Sequence, residues 1–432
     1  MISCNEDRLH SEKHDIEVDD KCSETRSSLT GTCPDGGLRA WSVVLGSLLV
    51  QFSCSGYVCS YGVFQDYYTR VYMTNYSASA ISWIGSVAPF LMLMMGLLSG
   101  RLYDRGYCMI LLYSGALIVS LALFMLSFTK PNQYYLAFIC QGLGLGLGGG
   151  MIYIPSQAVV SQYFDKRQPM ALAIVLSGVS FGAILTPIMI NNLLETANLS
   201  FATSTRIHAG LTTVALILAC VLIRPRLPPP NMHVNLFACL KKLSKDRLYT
   251  ITIGVFLFFG LGLFFPIFFL QLAATTHGLS NEFAFYSLVI LNGCACAGSF
   301  ICAFVSQKIR ADYLTIYSAI GCSVVCFAFA AVGSATSVVL IGVVYGVSYG
   351  ILISILTPLA SLVNDEPKEL GFRLGIAYAF AGVAELAGPP IMGALLTGYH
   401  WWRPALFAGM AMLACTACVI RVAFILRGRN SA

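Results

Sequence analysis

The chain has 432 residues, of which 57% are hydrophobic and only 11% charged; its formal net charge is +6 and its mean hydropathy +0.75. Soluble domains carry about 25% charged residues, so this composition excludes a water-soluble enzyme and a nucleic-acid-binding protein. A hydrocarbon layer about 30 Å thick takes about 20 apolar residues in helical form, and such stretches follow one another twelve times between Trp41 and Phe424.

The expected fold is an all-α membrane protein, with twelve transmembrane helices in two six-helix bundles surrounded by lipid bilayer. Residues 1–39 read as a disordered cytoplasmic tail, because Asp, Glu, Lys, Ser and Thr crowd the first 32 positions and large apolar side chains are few. No basic start, short apolar region and small-residue cleavage site follow one another there, so a signal peptide is not expected and the first spanning helix directs insertion. The N-terminal bundle, 40–224, has predicted helices at 41–63, 78–100, 107–129, 134–160, 169–192 and 207–223. Residues 225–248, with Pro228, Pro229, Pro230, Lys241, Lys242 and Lys245, read as a cytoplasmic linker. The C-terminal bundle and a short tail fill 249–432, with helices at 249–272, 282–305, 313–333, 335–360, 373–397 and 403–426.

Of the 26 Lys and Arg residues, Arg70, Lys130, Arg206 and Arg403 fall on one side of this scheme and Arg421 near a helix end; the rest fall on the other. Loops rich in Lys and Arg stay in the cytoplasm, which sets both termini inside, with the plasma membrane as the expected location. Two Asn-x-Ser sequons, at Asn75 and Asn198, then lie outside as glycosylation candidates.

Along the helices, most of the 16 cysteines, Cys54, Cys140 and Cys322 among them, lie in apolar runs, where thiols pack as small polarizable groups. The six histidines fall in expected tails, loops or helix ends, so no metal, cofactor or catalytic cluster is expected. Gly142, Gly144, Gly146, Gly148, Gly149 and Gly150 in the fourth helix bear a superficial likeness to a nucleotide loop. No strand precedes them and no Lys-Ser or Lys-Thr follows, so they read as a thin helix face for close packing or bending.

Glu385 stands about halfway along the eleventh helix, the one acidic residue expected deep in a span. A charge at the bilayer centre costs about 2.5–3.5 kcal/mol on insertion scales, which makes Glu385 a proton-coupling candidate; the plainer reading is a neutral Glu holding helices together. Asp66 is expected at the outer mouth of the first helix. Asn292 is a substrate-cavity candidate because an apolar helix rarely carries an amide without a partner. Tyr153 and Tyr349 are candidates too, with Phe259 and Tyr345 behind them, although most aromatic residues in such helices pack or meet lipid.

The halves echo one another. Pro155, Tyr163, Phe164, Lys166 and Arg167 lead to Gly178, Gly182 and Pro187 after the fourth helix; Pro358, Asn364, Lys368 and Arg373 lead to Gly382, Gly388 and Pro389 after the tenth. A six-plus-six duplication is the plan of a rocking-bundle transporter with its solute site at the midplane. Gly100, Leu102, Asp104, Arg105 and Gly106 match the G-x-L-x-D-R-G signature of the major facilitator superfamily, which the chain resembles. In such a loop Gly allows close helix approach, Asp meets helix ends and basic groups, and Arg makes ion pairs that break on rocking. Lys166 and Arg167 join this gating set, and the plainer reading of the loop is one that only sets topology. The run from Ser306 to Asp312, after the eighth helix, lacks the pattern.

Within the superfamily, residues 34–426 resemble the monocarboxylate porter family, in its fungal branch. Pro34, Asp35, Gly36 and Gly37 match its opening D-G-G signature, and Tyr163, Phe164, Lys166, Arg167 and Ala171 match its Y-F-x-K-R-x-x-x-A segment. Acid-transporting members use a Lys in the first helix and an Asp and an Arg four residues apart in the eighth; the matching positions here are Cys59, Ala295 and Ser299. Cys59 and Ser299 are thus cavity candidates, and the resemblance does not carry acid binding across. It implies a transmembrane transporter of a small organic solute by alternating access, secondary active or facilitative, with protons as a candidate coupling ion. Without a fixed Lys or Arg expected deep in a helix, a neutral or amphipathic solute fits better than a small anion. Two alternatives stay open: a proton-coupled monocarboxylate symporter, and a non-transporting sensor on the same scaffold.

Overall fold

The computed structural model describes residues 35–164, 167–226, 246–306, 308–363 and 370–431. Nearly all of the expected tail and most of the expected linker lie outside these residues. The described residues form twelve long apolar helices and no strand. The first six are α1 Leu38–Tyr72, α2 Ala78–Tyr103, α3 Cys108–Leu126, α4 Tyr134–Val160, α5 Met170–Leu194 and α6 Phe201–Leu222. The second six are α7 Arg247–Thr276, α8 Asn281–Cys302, α9 Ala311–Ala331, α10 Ala335–Ala360, α11 Arg373–Leu395 and α12 Trp402–Gly428.

Helix starts follow from local chemistry, since the first N–H groups of a helix have no partner within it. The Ser77 hydroxyl accepts from Ala80 N–H at 3.2 Å, that of Ser200 from Thr203 N–H at 3.2 Å and that of Ser280 from Phe283 N–H at 3.3 Å, opening α2, α6 and α8. The cap at Ser200 starts α6 six residues before the expected 207. Arg206 and His208 thereby move from a loop and a helix end into the helix itself: Arg206 lies over the Phe128 ring, and His208 is buried against Tyr57 with ring centroids 5.1 Å apart.

α1 departs furthest from expectation, running to Tyr72 rather than 63. It is interrupted by π-helical turns at Phe52–Gly56 and Tyr68–Tyr72 and by a kink at Ser60, whose φ and ψ are −88° and 0°. The added length holds Asp66 and Arg70, four residues apart, which pair on the helix face and so let two charged residues sit within a spanning segment.

Packing in the first six helices recurs in the second six. α1 packs on α5 and α6, α2 on α4, and α3 on α4 and α6; α7 packs on α11 and α12, α8 on α10, and α9 on α10 and α12. The glycine run of α4 serves this packing. A Cβ at Gly148 would meet the Gly115 carbonyl of α3 at 2.9 Å, and one at Gly150 would meet Met95 of α2 at 2.6 Å, so glycine lets α4 lie between both neighbours. The outer surfaces carry apolar stripes, such as Ile110, Leu117 and Leu121 on α3 and Leu406, Met410 and Leu413 on α12. Exposed apolar surface this continuous fits an integral multi-pass membrane protein.

The two halves meet along α1–α7, α2–α11 and α5–α8. Both ends of the described chain lie on one face, which also carries the α2–α3 and α4–α5 turns. Hydrogen bonds between the halves sit at the opposite face and at mid-height: Gln271 and Thr275 donate to Asp66, Arg70 donates to Asn281, Ser79 donates to the Pro390 carbonyl, and Asn292 donates to the Ala183 carbonyl. The halves are thus clasped at the face away from the termini.

Candidate functional site

Near mid-height, side chains of four helices converge. Glu385 of α11 is 7% exposed. Cys59 of α1, Tyr153 of α4, Tyr349 of α10 and Tyr378 of α11 all lie within its electrostatic reach, and Cys59 faces the Tyr349 hydroxyl. Among the described residues Glu385 has no hydrogen-bond or ion-pair partner, a costly position for a carboxylate.

Surrounding contacts fix the rings. Tyr349 stacks on Tyr345 with centroids 6.0 Å apart and planes 7° from parallel, while Tyr345 donates to the Leu263 carbonyl at 2.6 Å. Tyr378 sets its edge against Phe256 at 5.1 Å and shares a 2.9 Å hydrogen bond with Thr357. Gln157, one turn after Tyr153, neighbours its hydroxyl, and the Gln157 Nε2 is buried without a hydrogen-bond acceptor. The result is a cluster rich in phenols, with one carboxyl group, one thiol and one amide.

The structure divides the sequence-derived candidates. Cys59, Tyr153, Tyr349 and Glu385 come together, each from a different helix. Asn292 lies instead at the α5–α8 contact, donating to the carbonyls of Ala183 at 3.2 Å and Leu288 at 3.1 Å. The Ser299 hydroxyl donates to the carbonyls of Ala295 and Gly350, both at 3.1 Å. A Cβ at Gly350 would collide with Ala295, so small residues at 295 and 299 let α10 pack closely on α8.

The loop after α2 is a chain reversal. Gly106 has φ +91°, its N–H donates to the Tyr103 carbonyl at 2.9 Å, and the Tyr107 N–H donates to the Leu102 carbonyl at 3.0 Å. That pair of bonds is a helix stop needing a left-handed residue. Nothing lies within 4 Å of a Cβ at Gly100, and Arg105 is exposed; the Asp104 side chain and Lys166 lie outside the described residues. Arg167 is exposed, and its backbone N–H reaches Asp35 Oδ1 at 3.4 Å, while the Asp35 N–H donates to the Tyr163 carbonyl at 3.2 Å. The D-G-G segment is thereby pinned to the α4–α5 turn. Asn75 and Asn198 are exposed at the face away from the termini, and the serines of both sequons are helix caps.

Asp66, expected at an interface with solvent, is 1% exposed and a second buried carboxylate in a span. Its oxygens accept from Arg70 Nε and Nη2, each at 2.6 Å, from Gln271 Nε2 at 3.1 Å and from Thr275 Oγ1 at 3.2 Å. Gln271 and Thr275 escaped sequence reasoning; their signal was polarity one turn apart near the end of a largely apolar helix. Among the described residues no group of three or more His, Cys, Asp or Glu gathers as a metal site.

Twelve apolar helices in two halves of matching packing describe a polytopic membrane protein, and comparison places the chain in a family. The model of the Major Facilitator Superfamily matches residues 43–366, and the chain belongs to that superfamily of transporters rather than to any class of enzyme. It is 34% identical over 366 residues to the aspyridones efflux protein apdF of Emericella nidulans, covering 85% of this chain and 74% of that one. It is 32% identical over 396 residues to the agnestins efflux protein AgnL12 of Paecilomyces divaricatus, covering 90% and 89%. The crystal structure of a D-xylose-proton symporter superposes with TM-score 0.68 at 18% identity, over 87% of this chain and 96% of that one, a likeness of fold.

Proposed function

We propose that the protein exports a neutral or amphipathic organic metabolite by alternating access and exchanges it for a proton at Glu385. The observation that carries this reading is the cluster itself: one buried carboxyl group with no partner among the described residues, with Tyr153, Tyr349 and Tyr378 beside it. Phenol rings offer stacking faces and hydroxyls to an organic solute, and no Lys or Arg stands among those side chains to hold a small carboxylate. The similarity to monocarboxylate porters is a similarity of scaffold: the positions that bind acids there are Cys59, Ala295 and Ser299 here. Export is supported by the relatives named as efflux proteins.

In this reading the clasped face is outside and the structure is inward-facing. Solute enters from the cytoplasm beside protonated Glu385, the carboxyl proton leaves to the cytoplasm as solute binds, and reprotonation from outside resets the carrier after release. The test is transport in liposomes, with aromatic ketones screened by counterflow and the best one then used as the probe. Wild type accumulates the probe against its gradient when a pH gradient is imposed. Glu385→Gln, which keeps the shape of the protonated acid but has no proton to release as solute binds, loses accumulation, and its counterflow falls with it. A variant that concentrates the probe as wild type does defeats the proton role; loss of counterflow in wild type across the screen defeats the solute class.

A further inference from the structure

A charged side chain in a membrane span almost always meets a partner within the protein, and Arg421 of α12 does not. It is exposed, about 10 Å before the end of the span at Gly428, and has no hydrogen bond, ion pair or ring contact among the described residues. Cys418, one turn earlier, lies against α7, where a Cβ at Gly254 would meet its Sγ at 3.3 Å. α7 starts at the termini face and α12 ends there, so Arg421 continues the α12 side of this seam toward that face. Arg247, two turns before Gly254, continues the α7 side; it too is exposed and without a partner among the described residues. Neither helix carries an Asp or Glu. The carboxylate of Asp246 is already taken, accepting from the N–H groups of Leu248 and Tyr249 at 3.0 and 3.3 Å and from Arg373 Nη1 at 3.3 Å. Two cations thus flank one seam without a counter-charge, and the exposed Phe424 and Ile420 put apolar surface on the same outer side of α12.

We propose that the α7–α12 seam at the termini face is a binding site for an anionic phospholipid, its phosphate between Arg421 and Arg247 and an acyl chain along Phe424 and Ile420. The guanidinium N–H groups form a fork that matches two phosphate oxygens, and a long cationic side chain in a span extends toward the headgroup layer. Depth selects a lipid over a soluble anion: Arg421 stands on lipid-facing surface, where a phosphate arrives attached to acyl chains. The rival occupant is the acid-rich stretch 5–24 of this chain. It would carry polar backbone into the apolar layer and leave N–H and C=O groups unsatisfied there. Both helices belong to one half, so the site travels with that half as a unit when the halves rock. Binding is therefore independent of the clasp, of Glu385 and of the transported solute.

Native mass spectrometry of the purified full-length protein in detergent tests this, with dioleoylphosphatidylserine as the probe and dioleoylphosphatidylcholine, which has the same chains and no net charge, as the reference. Wild type holds one phosphatidylserine more tightly than phosphatidylcholine. Arg421→Gln and Arg247→Gln each weaken phosphatidylserine about fivefold, the effect of one cation near the headgroups, and leave phosphatidylcholine unchanged. Arg427→Gln, at a guanidinium engaged with Tyr313 on the α9 side, leaves both unchanged. Equal affinity of wild type for the two lipids overturns the proposal, as does phosphatidylserine binding that is unchanged in Arg421→Gln. So does a loss in Arg427→Gln as large as in Arg421→Gln, which would mean attraction to basic charge in general. Displacement of the lipid at its own concentration by glycerophosphoserine, the headgroup without chains, or by a peptide of residues 5–24 assigns the site to a soluble anion or to the tail and overturns it as well.

Discussion

Two buried carboxylates show how neighbours decide what the same group does. Asp66 accepts four hydrogen bonds and ties α1 to α7, whereas Glu385, at similar burial, has none among the described residues. Asp66→Asn replaces one acceptor by an NH₂ group that must face the donors of Arg70, Thr275 or Gln271. Losing charge-assisted bonds of this kind costs about 1.5–3 kcal/mol, and about 1.4 kcal/mol is tenfold in a population. The clasped conformer is therefore expected to lose at least about tenfold in favour of one open at this face. Electron-resonance distances between labelled unnatural residues at positions 75 and 278 would show a longer component in the variant; a distribution identical to wild type would mean the clasp does not hold the face. Sequence placed Asp66 at the outer mouth because its charge argued against burial, and the partners that reverse that argument lie 205 and 209 positions away.

At the scale of elements, the two glycines of the α2–α3 signature play different parts. Gly106 adopts a left-handed conformation that stops α2, while Gly100 has open space where a Cβ would go. An L-residue forced into that region costs about 1–2 kcal/mol, which for a chain this size corresponds to a fall in apparent Tm of a few degrees. Gly106→Ala should show that fall in detergent, with Gly106→Asn milder and Gly100→Ala close to wild type. Equal losses at both positions would return the motif to a helix-contact role. Helix placement along the chain was legible because bilayer crossing imposes a length and an apolar composition on every span. The two bounds that moved most, at the C-terminal end of α1 and the start of α6, are those where a polar pair and a cap extended the helix past its apolar run.

For the whole molecule, twelve described spans return the chain to the face on which it starts. Arg101, Arg105, Arg224, Arg247 and Arg310 border that face, and the exposed Asn75 and Asn198 border the other. The basic face is expected in the cytoplasm. In intact cells a carboxyl-terminal tag should be accessible only after permeabilisation, and glycosidase treatment should shift the protein unless both Asn75 and Asn198 are replaced by Gln. A tag reached from outside would invert the whole arrangement, and with it the direction assigned to the clasped face.

By itself the sequence determined the class, the number of spans and their repeated plan, since each rests on local hydropathy and loop composition. It also nominated Cys59, Tyr153, Tyr349 and Glu385 one by one. Only the tertiary structure decided that these four face each other, that Asn292 and Ser299 serve helix contacts, and that Asp66 closes one face with Gln271 and Thr275. Hydropathy is a property of consecutive residues, whereas the partner of a polar group inside a membrane is set by how distant helices rotate and lean together, which no single stretch of chain encodes.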